Sequence, residues 1–450
     1  MLKSFFTEKF RAITRSTLAN IVLVANAFVW YYFALDFLKS ALGIISPDYF
    51  TTLLIWIFHF GGMIISALIG AWIINRVKER NHFLIAWLIL GILASMTAIA
   101  IDATFIPNVL MLALLLGVSL GVGMPCCMGY FTESTEIENR GRLGGIILLL
   151  SFIGMVTLGA TSSGDIGLQR FMLFTWRLLG LVLFLLLMPV KKVIEKAKMP
   201  AYKSLLGQRS FILYVIPWIM FSLITYLTVP IQSGIVGQST VDSLIVIENA
   251  LIAVFALIGG FISDIFGRKR VAIVGFALLG LGYSALGIYP ESIFSWYFFT
   301  FVDGIAWGLL FVVFIVTLWG DLSNGLASDK YYALGVLPFF VSKFLELVIG
   351  NDIAEIVPSY AIFSFTALFL FLAMLPLVYA PETLPEKAMK ERELKGYLEK
   401  AQKIAQKDSE KKQKKETKKK QEKSEGSKGD KQEENSKEQD EARKLAEKYY

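Results

Sequence analysis

Twelve apolar runs of membrane length are spaced along the chain, and nothing constrains the fold more. They cover approximately residues 18–39, 49–73, 82–101, 107–129, 143–163, 170–190, 210–231, 243–263, 271–290, 293–319, 331–350 and 358–380. A helix needs about 20 predominantly apolar residues to cross about 30 Å of hydrocarbon. Lipid offers no partner to backbone N–H and C=O groups, so each run satisfies them only by forming its own helical hydrogen bonds. The predicted fold class is an all-α membrane protein with twelve transmembrane helices.

Composition removes several functional classes. Of the 450 residues, 55% are hydrophobic, although the C-terminal tail is almost wholly polar. The formal net charge is +7, but about half of the charged residues lie after Pro381, and the aromatic residues sit inside apolar runs instead of alternating with Lys and Arg. No nucleic-acid partner is expected. Cys126 and Cys127 are adjacent, with no His or further Cys at a ligand spacing, and read as small buried side chains. No metal and no cofactor are expected. The chain has neither a Gly-rich phosphate loop nor a nucleophile constellation, so it reads as neither an ATP-driven pump nor an enzyme. The basic stretch Lys3 to Arg15 precedes an apolar run too long for a signal peptide and without a small-x-small cleavage pattern, which marks an uncleaved first span.

Lys and Arg in short loops set the orientation. With a cytoplasmic N-terminus the inner set holds about 19 basic residues, including Lys191, Lys192, Lys196, Lys198, Lys203 and Arg209, against about two outside, Lys39 and Arg170. Outer loops carry Asp48, Asp102, Asp165, Asp242, Asp352 and Glu355 instead. The expected organisation is a cytoplasmic N-terminus (1–17), a six-helix bundle (18–190), a cytoplasmic linker (191–209), a second six-helix bundle (210–380) and a charged, largely disordered cytoplasmic tail (381–450). The expected location is the cell membrane, multi-pass, with both termini cytoplasmic. In the tail, Glu386 to about Lys407 spaces Met389, Leu394, Leu398 and Ile404 among charges, a pattern for a surface-lying helix, and its lysine clusters predict contact with anionic lipid.

Two landmarks recur at one offset of about 190 residues. Gly260-Phe-Ile-Ser-Asp264-Ile-Phe-Gly267-Arg268-Lys269 follows span eight, and a worn copy, Ala71-Trp-Ile-Ile-Asn75-Arg76-Val-Lys78-Glu79-Arg80, follows span two. Glu133 to Gly141 precedes span five, and Gly320-Asp321 through Asp329-Lys330 precedes span eleven. The chain thus reads as two pseudo-symmetric six-helix bundles. Over roughly residues 15–385 it resembles the major facilitator superfamily, whose signature after spans two and eight is Gly-x3-Asp-basic-x-Gly-Arg-basic. Glu133, Arg140-Gly141 and Pro381-Glu382-Thr383 are similar to motifs of its sugar-porter branch. The binding pattern of that branch is not matched between Tyr226 and Ser233, and span five lacks the Gly-Pro dipeptide of drug antiporters.

The resemblance implies an inner gate built from Asn75, Arg76, Glu133, Arg140, Gly260, Asp264, Gly267, Arg268 and Lys269, with Asp264 at the N-terminal end of span five and Arg268 or Arg140 pairing with Glu133 or Glu136. It also implies a cavity walled mainly by spans one, four, seven and ten. There Asn26, Trp30, Tyr31, Trp218, Tyr226, Gln232 and Trp307 offer aromatic faces and neutral hydrogen-bond groups, suited to a small amphipathic or ring-containing solute. His59 and Lys343 are expected to join them. Ionisable groups inside spans are costly and stand by default as functional. Glu248 and Asp303 have no evident local partner and are the candidates for proton or cation coupling. The expected function is a secondary active transporter that moves a small organic solute by alternating access, coupled to protons. One alternative is an exporter of lipophilic or cationic compounds; another is a transporter-like receptor or scaffold signalling through the tail.

Overall fold

The computed structural model describes residues 15–77, 79–162, 165–188, 200–236, 238–384, 436 and 439–444. Among these, twelve helices are long and apolar enough to cross a membrane: Arg15–Ile45, Tyr49–Ile73, Arg80–Ala100, Ile106–Ser134, Ile137–Thr161, Ile166–Leu187, Arg209–Gln232, Leu244–Phe266, Arg268–Ile288, Ile293–Leu322, Ser328–Gly350 and Tyr360–Tyr379, spans one to twelve in chain order. They belong to one compact unit, Met1–Pro385, and Glu386–Tyr450 is a second unit, helical where described. Residues 1–14, residues 191–199 of the 191–209 linker, Lys78 and the Glu386 to Lys407 segment lie outside the described residues; the linker's described part holds a short helix, Tyr202–Leu206.

Several helices run past the apolar stretches that announce them. Span five begins at Ile137, six residues before the apolar run, span four continues to Ser134 and span eleven starts at Ser328. Glu133, Arg140 and Asp329 therefore stand on helical turns rather than in loops. Charged residues are tolerated on these turns because other charges meet them, as described below. The outer-loop acids act differently. Asp48 caps span two, accepting from the Phe50 and Thr51 amides at 3.1 and 3.3 Å and from Thr51 Oγ1 at 2.6 Å, and Asp165 caps span six through the Gly167 and Leu168 amides at 2.8 and 3.1 Å. The Thr51 hydroxyl and these amides hold the Asp48 carboxyl below the usual carboxylate range.

Helix packing repeats on a shift of six. Span one packs on spans five and six, span two on span four, and span three on spans four and six; span seven packs on spans eleven and twelve, span eight on span ten, and span nine on spans ten and twelve. This is the pseudo-symmetry of two six-helix bundles. The bundles meet chiefly where span five packs on span eight and where spans two and four meet the start of span eleven. The first contact depends on small residues. A Cβ on Gly145 would lie 2.7 Å from the Ala256 carbonyl oxygen, and one on Gly260 would lie 2.9 Å from the Gly141 carbonyl carbon. Backbones approach that closely only where no side chain intervenes, the usual basis of helix association in lipid.

Gly260→Val is expected to force spans five and eight apart. Overpacking of this kind costs about 1–3 kcal/mol, and a lowered melting temperature in detergent, with the Ser284→Ala variant unchanged, is the measurement that checks it.

Candidate functional site

Charged side chains converge at one end of the molecule, where spans three, four, five, eight, nine, ten and eleven begin or finish. Arg80, on the first turn of span three, crosses to the other bundle and grips Asp329 with two bonds, Nη1 to Oδ1 at 2.7 Å and Nη2 to Oδ2 at 2.9 Å. The same guanidinium donates to Glu133 Oε1 at 2.9 Å and to the Cys126 carbonyl at 2.9 Å. Gly129 leaves room for this bridge, since a Cβ there would come within 2.9 Å of Arg80 Nη1.

A second cluster mirrors the first. Arg268, on the first turn of span nine, donates through Nε to Asp321 at 3.0 Å, through Nη1 to Asp264 at 2.7 Å and through Nη2 to the Ile137 carbonyl of the opposite bundle at 2.7 Å. Arg140 of span five reaches the other oxygen of Asp321. Asp264 in turn accepts the Gly141 and Arg142 amides at 2.8 and 2.9 Å and Arg142 Nε at 3.1 Å, so a carboxylate of span eight sits at the N-terminal turns of span five. Asp264, Arg268, Asp321 and Asp329 are all buried. Charges so far from water persist only when paired and hydrogen-bonded.

Glu382 completes this end. It accepts the Arg268 amide at 2.8 Å and the Lys269 amide at 3.2 Å, which caps span nine, and it folds onto its own Thr383 amide at 2.9 Å. Gly267 turns between spans eight and nine at φ 99°, a region open to glycine, and any side chain there would meet the Glu382 carboxylate. Lys269 Nζ reaches the Val378 carbonyl at 2.7 Å.

Compared with the expected gate, partners change. Glu133 pairs with Arg80 rather than Arg140 or Arg268, and Asp321 supplies the carboxylate for both of those. Arg76 stands outside the network: it is exposed and lies over the Trp72 ring at 3.6 Å. The side chain of Asn75 lies outside the description. Position by position the worn copy sets Arg76 opposite Ile265 and Glu79 opposite Arg268, yet Arg80 is the residue related to Arg268 by the same shift that relates Glu133 to Asp321. One extra residue in the first turn moves the arginine along by one, and that shared spacing is the signal that finds it.

The cavity candidates divide into two groups. Asn26 donates to the Trp176 carbonyl at 2.7 Å and accepts from Arg177 Nη1 at 3.1 Å. Trp30 donates to Ser95 at 3.0 Å and presents its face to Arg177, which also lies 4.3 Å from the Trp87 ring centroid. His59 holds the Ala113 carbonyl at 3.1 Å inside a π-helical turn, Ile57–Gly61. Trp218 donates to the Gly335 carbonyl at 2.9 Å and stacks on Phe221 and Phe314. These four, expected in a shared cavity, are engaged inside their own bundles, because a buried N–H or ring nitrogen takes the nearest available acceptor.

Tyr31, Tyr226, Trp307 and Lys343 gather instead. Tyr226 packs edge-on against Trp307 and Phe339 at centroid distances of 6.0 and 5.3 Å, and Lys343 Nζ lies 4.9 Å from its ring. Tyr31 reaches across from the other bundle to Phe340 at 5.9 Å. Next to them, the carboxyl groups of Glu248 and Asp303 lie close enough to interact with each other, and Asp303 also interacts with Trp307. Each is therefore the other's partner, a pairing between spans eight and ten that separate helical runs conceal. Gln232 donates to Tyr283 at 3.3 Å, and Tyr283 shares a 2.7 Å hydrogen bond with Thr228.

No protein-family model matches the sequence, and no curated protein resembles it in sequence. Solved structures do. The proton:xylose symporter XylE bound to 6-bromo-6-deoxy-D-glucose superposes with a TM-score of 0.63 at 14% identity, covering 82% of this chain and 96% of that one. A double-tryptophan variant of XylE gives 0.63 at 16%, covering 84% and 98%. The human organic anion transporter MFSD10 gives 0.59 at 13%, covering 81% and 99%. The fold is that of the major facilitator superfamily of transporters, in a multi-pass membrane protein.

Removing one partner of a buried ion pair costs about 3–5 kcal/mol. Asp321→Asn, which deprives two arginines, is expected to lower the melting temperature more than Glu133→Gln, which deprives one that keeps Asp329. Asp329→Asn is expected to loosen the bridge beside Cys126, a buried free cysteine, so its alkylation in the folded protein should speed up at least severalfold, as read by mass spectrometry.

Proposed function

We propose that the protein is a secondary active transporter, a carrier rather than a catalyst, that moves a small organic solute across the cell membrane by alternating access with proton coupling. What carries the proposal is the seam. Two bundles are joined at one end by buried ion pairs, Arg80–Asp329 and Arg140–Asp321, and by the cap of Asp264 on span five. Such contacts are strong while dry and are replaced by hydration once water enters, so the seam can open without exposing apolar core. Towards the other end the bundles meet through aromatic edges, Tyr31 on Phe340 and Phe60 on Phe344 at 6.0 Å. Ionic closure at one end, with aromatic contacts between the bundles deeper in the spans, suits a carrier that opens to each side in turn. The fold's solved examples include a proton:xylose symporter and an organic anion transporter, both solute carriers.

Coupling is assigned to Glu248 and Asp303. Two carboxyl groups hydrogen-bond each other only when a proton lies between them. Among the described residues no donor reaches Asp303 Oδ1, and a proton held between the two carboxyl groups would supply one. The excess of Lys and Arg in the short loops on the seam side supports a cytoplasmic seam and cytoplasmic termini. By their charge, the lysine clusters of the tail suit contact with anionic lipid.

In proteoliposomes, a transported solute is expected to evoke proton movement reported by a trapped pH dye, and an inward pH gradient to drive its accumulation. Glu248→Gln and Asp303→Asn are each expected to reduce gradient-driven accumulation at least tenfold while solute exchange continues. Unchanged gradient-driven accumulation in both variants removes the pair from the mechanism.

A further inference from the structure

The ion pairs of the seam tie helix to helix, but Lys343 and Glu346 do not. They stand one turn apart on span eleven, with Nζ 2.7 Å from Oε1 and 2.5 Å from Oε2, and each is the other's partner. An intrahelical pair contributes little to packing, yet it keeps two charges within a membrane span, where ionisable groups are costly. Neither side chain is sealed, at 16% and 8% exposed against 0% for Arg268 at the seam. Both side chains therefore keep some accessible surface, unlike Arg268 and Asp321 of the seam.

The surroundings are aromatic and draw on both halves. Tyr226 of span seven lies under the ammonium group, backed by Trp307 of span ten and Phe339 of span eleven. Tyr31 of span one sits near enough to Glu346 to feel its charge, and its hydroxyl has no hydrogen-bond partner among the described residues. Lys39 of span one is a further cation within electrostatic reach, but it is exposed and screened by solvent.

We propose that this cluster binds a small zwitterion bearing an aromatic ring, its carboxylate on Lys343, its ammonium on Glu346 and its ring among Tyr31, Tyr226, Trp307 and Phe339. This deepens the carrier assignment and rests on it. A solute with a single charge takes one member of the pair and strands the other, leaving a half-buried charge unpaired. A neutral solute gains nothing from separating the two. A zwitterion exchanges one ion pair for two, and its ring covers the aromatic faces. Selectivity comes from the penalty on single-charge solutes as much as from the attraction for the right one.

The test uses four probes on the purified full-length protein: L-phenylalanine, phenethylamine, 3-phenylpropionate and D-glucose, read by thermal shift and by uptake into proteoliposomes. Phenylalanine is expected to bind at least tenfold more tightly than the other three. Lys343→Met is expected to invert that preference towards phenethylamine, and Glu346→Gln towards 3-phenylpropionate, gains that loss of structure does not produce. If either single variant lacks a melting transition, the exchange of both residues, Lys343→Glu with Glu346→Lys, replaces it and is expected to keep phenylalanine binding. Wild-type protein that ignores phenylalanine, or binds a single-charge probe or glucose as tightly, overturns the assignment, as do variants without inversion. Gradient-driven uptake of glucose or of a single-charge probe would then leave the carrier function standing while the zwitterion falls.

Discussion

The carboxylate of Asp321 receives Arg140 from one bundle and Arg268 from the other, and the architecture depends on what that junction represents. A buried charge is stabilised where an opposite charge and hydrogen bonds await it. Each bundle supplies what the other lacks: Arg80 needs Asp329, Arg140 needs Asp321, and the start of span five needs Asp264. Halves that each fold with unmet charges at one end are bound to meet there, in one register.

The same constraint accounts for the glycines beside the seam. Ion pairs reach across only if backbones come close, so Gly129, Gly141 and Gly260 stand where a Cβ would enter a carboxylate, a guanidinium or a facing carbonyl. It also separates the two ends of the molecule. Contacts that water can replace hold the basic end, whereas towards the far end the contact is aromatic, softer in geometry and without net charge. Two pairs of ionisable groups lie beyond the seam, Glu248 with Asp303 and Lys343 with Glu346.

Much of the fold was legible from sequence, because the bilayer reads apolar length and little else. Twelve runs give twelve spans, and a motif recurring at one offset gives the repeat. The ends were less legible: span five starts on Ile137, among charges that a hydropathy reading assigns to a loop. At the site, Asp264, Arg268 and Arg140 stand at the seam, but their partners were misassigned, and Arg80 was passed over for Arg76 because one extra residue shifts the worn copy. Asn26, Trp30, His59 and Trp218 carry the polar or aromatic groups of a binding wall, yet each turns to a partner within its own bundle. Residue type states what a side chain can bond to, not which face of its helix it occupies.

By itself, then, the sequence determined the number of crossings, the duplication and the gathering of basic residues on one face, since these follow from composition along a line. Tertiary structure alone decided which charge answers which: Arg80 with Asp329, Arg268 with Asp321, Glu248 with Asp303. Each of those pairs joins separate helices, and a pairing of that kind exists only once packing has brought the helices side by side.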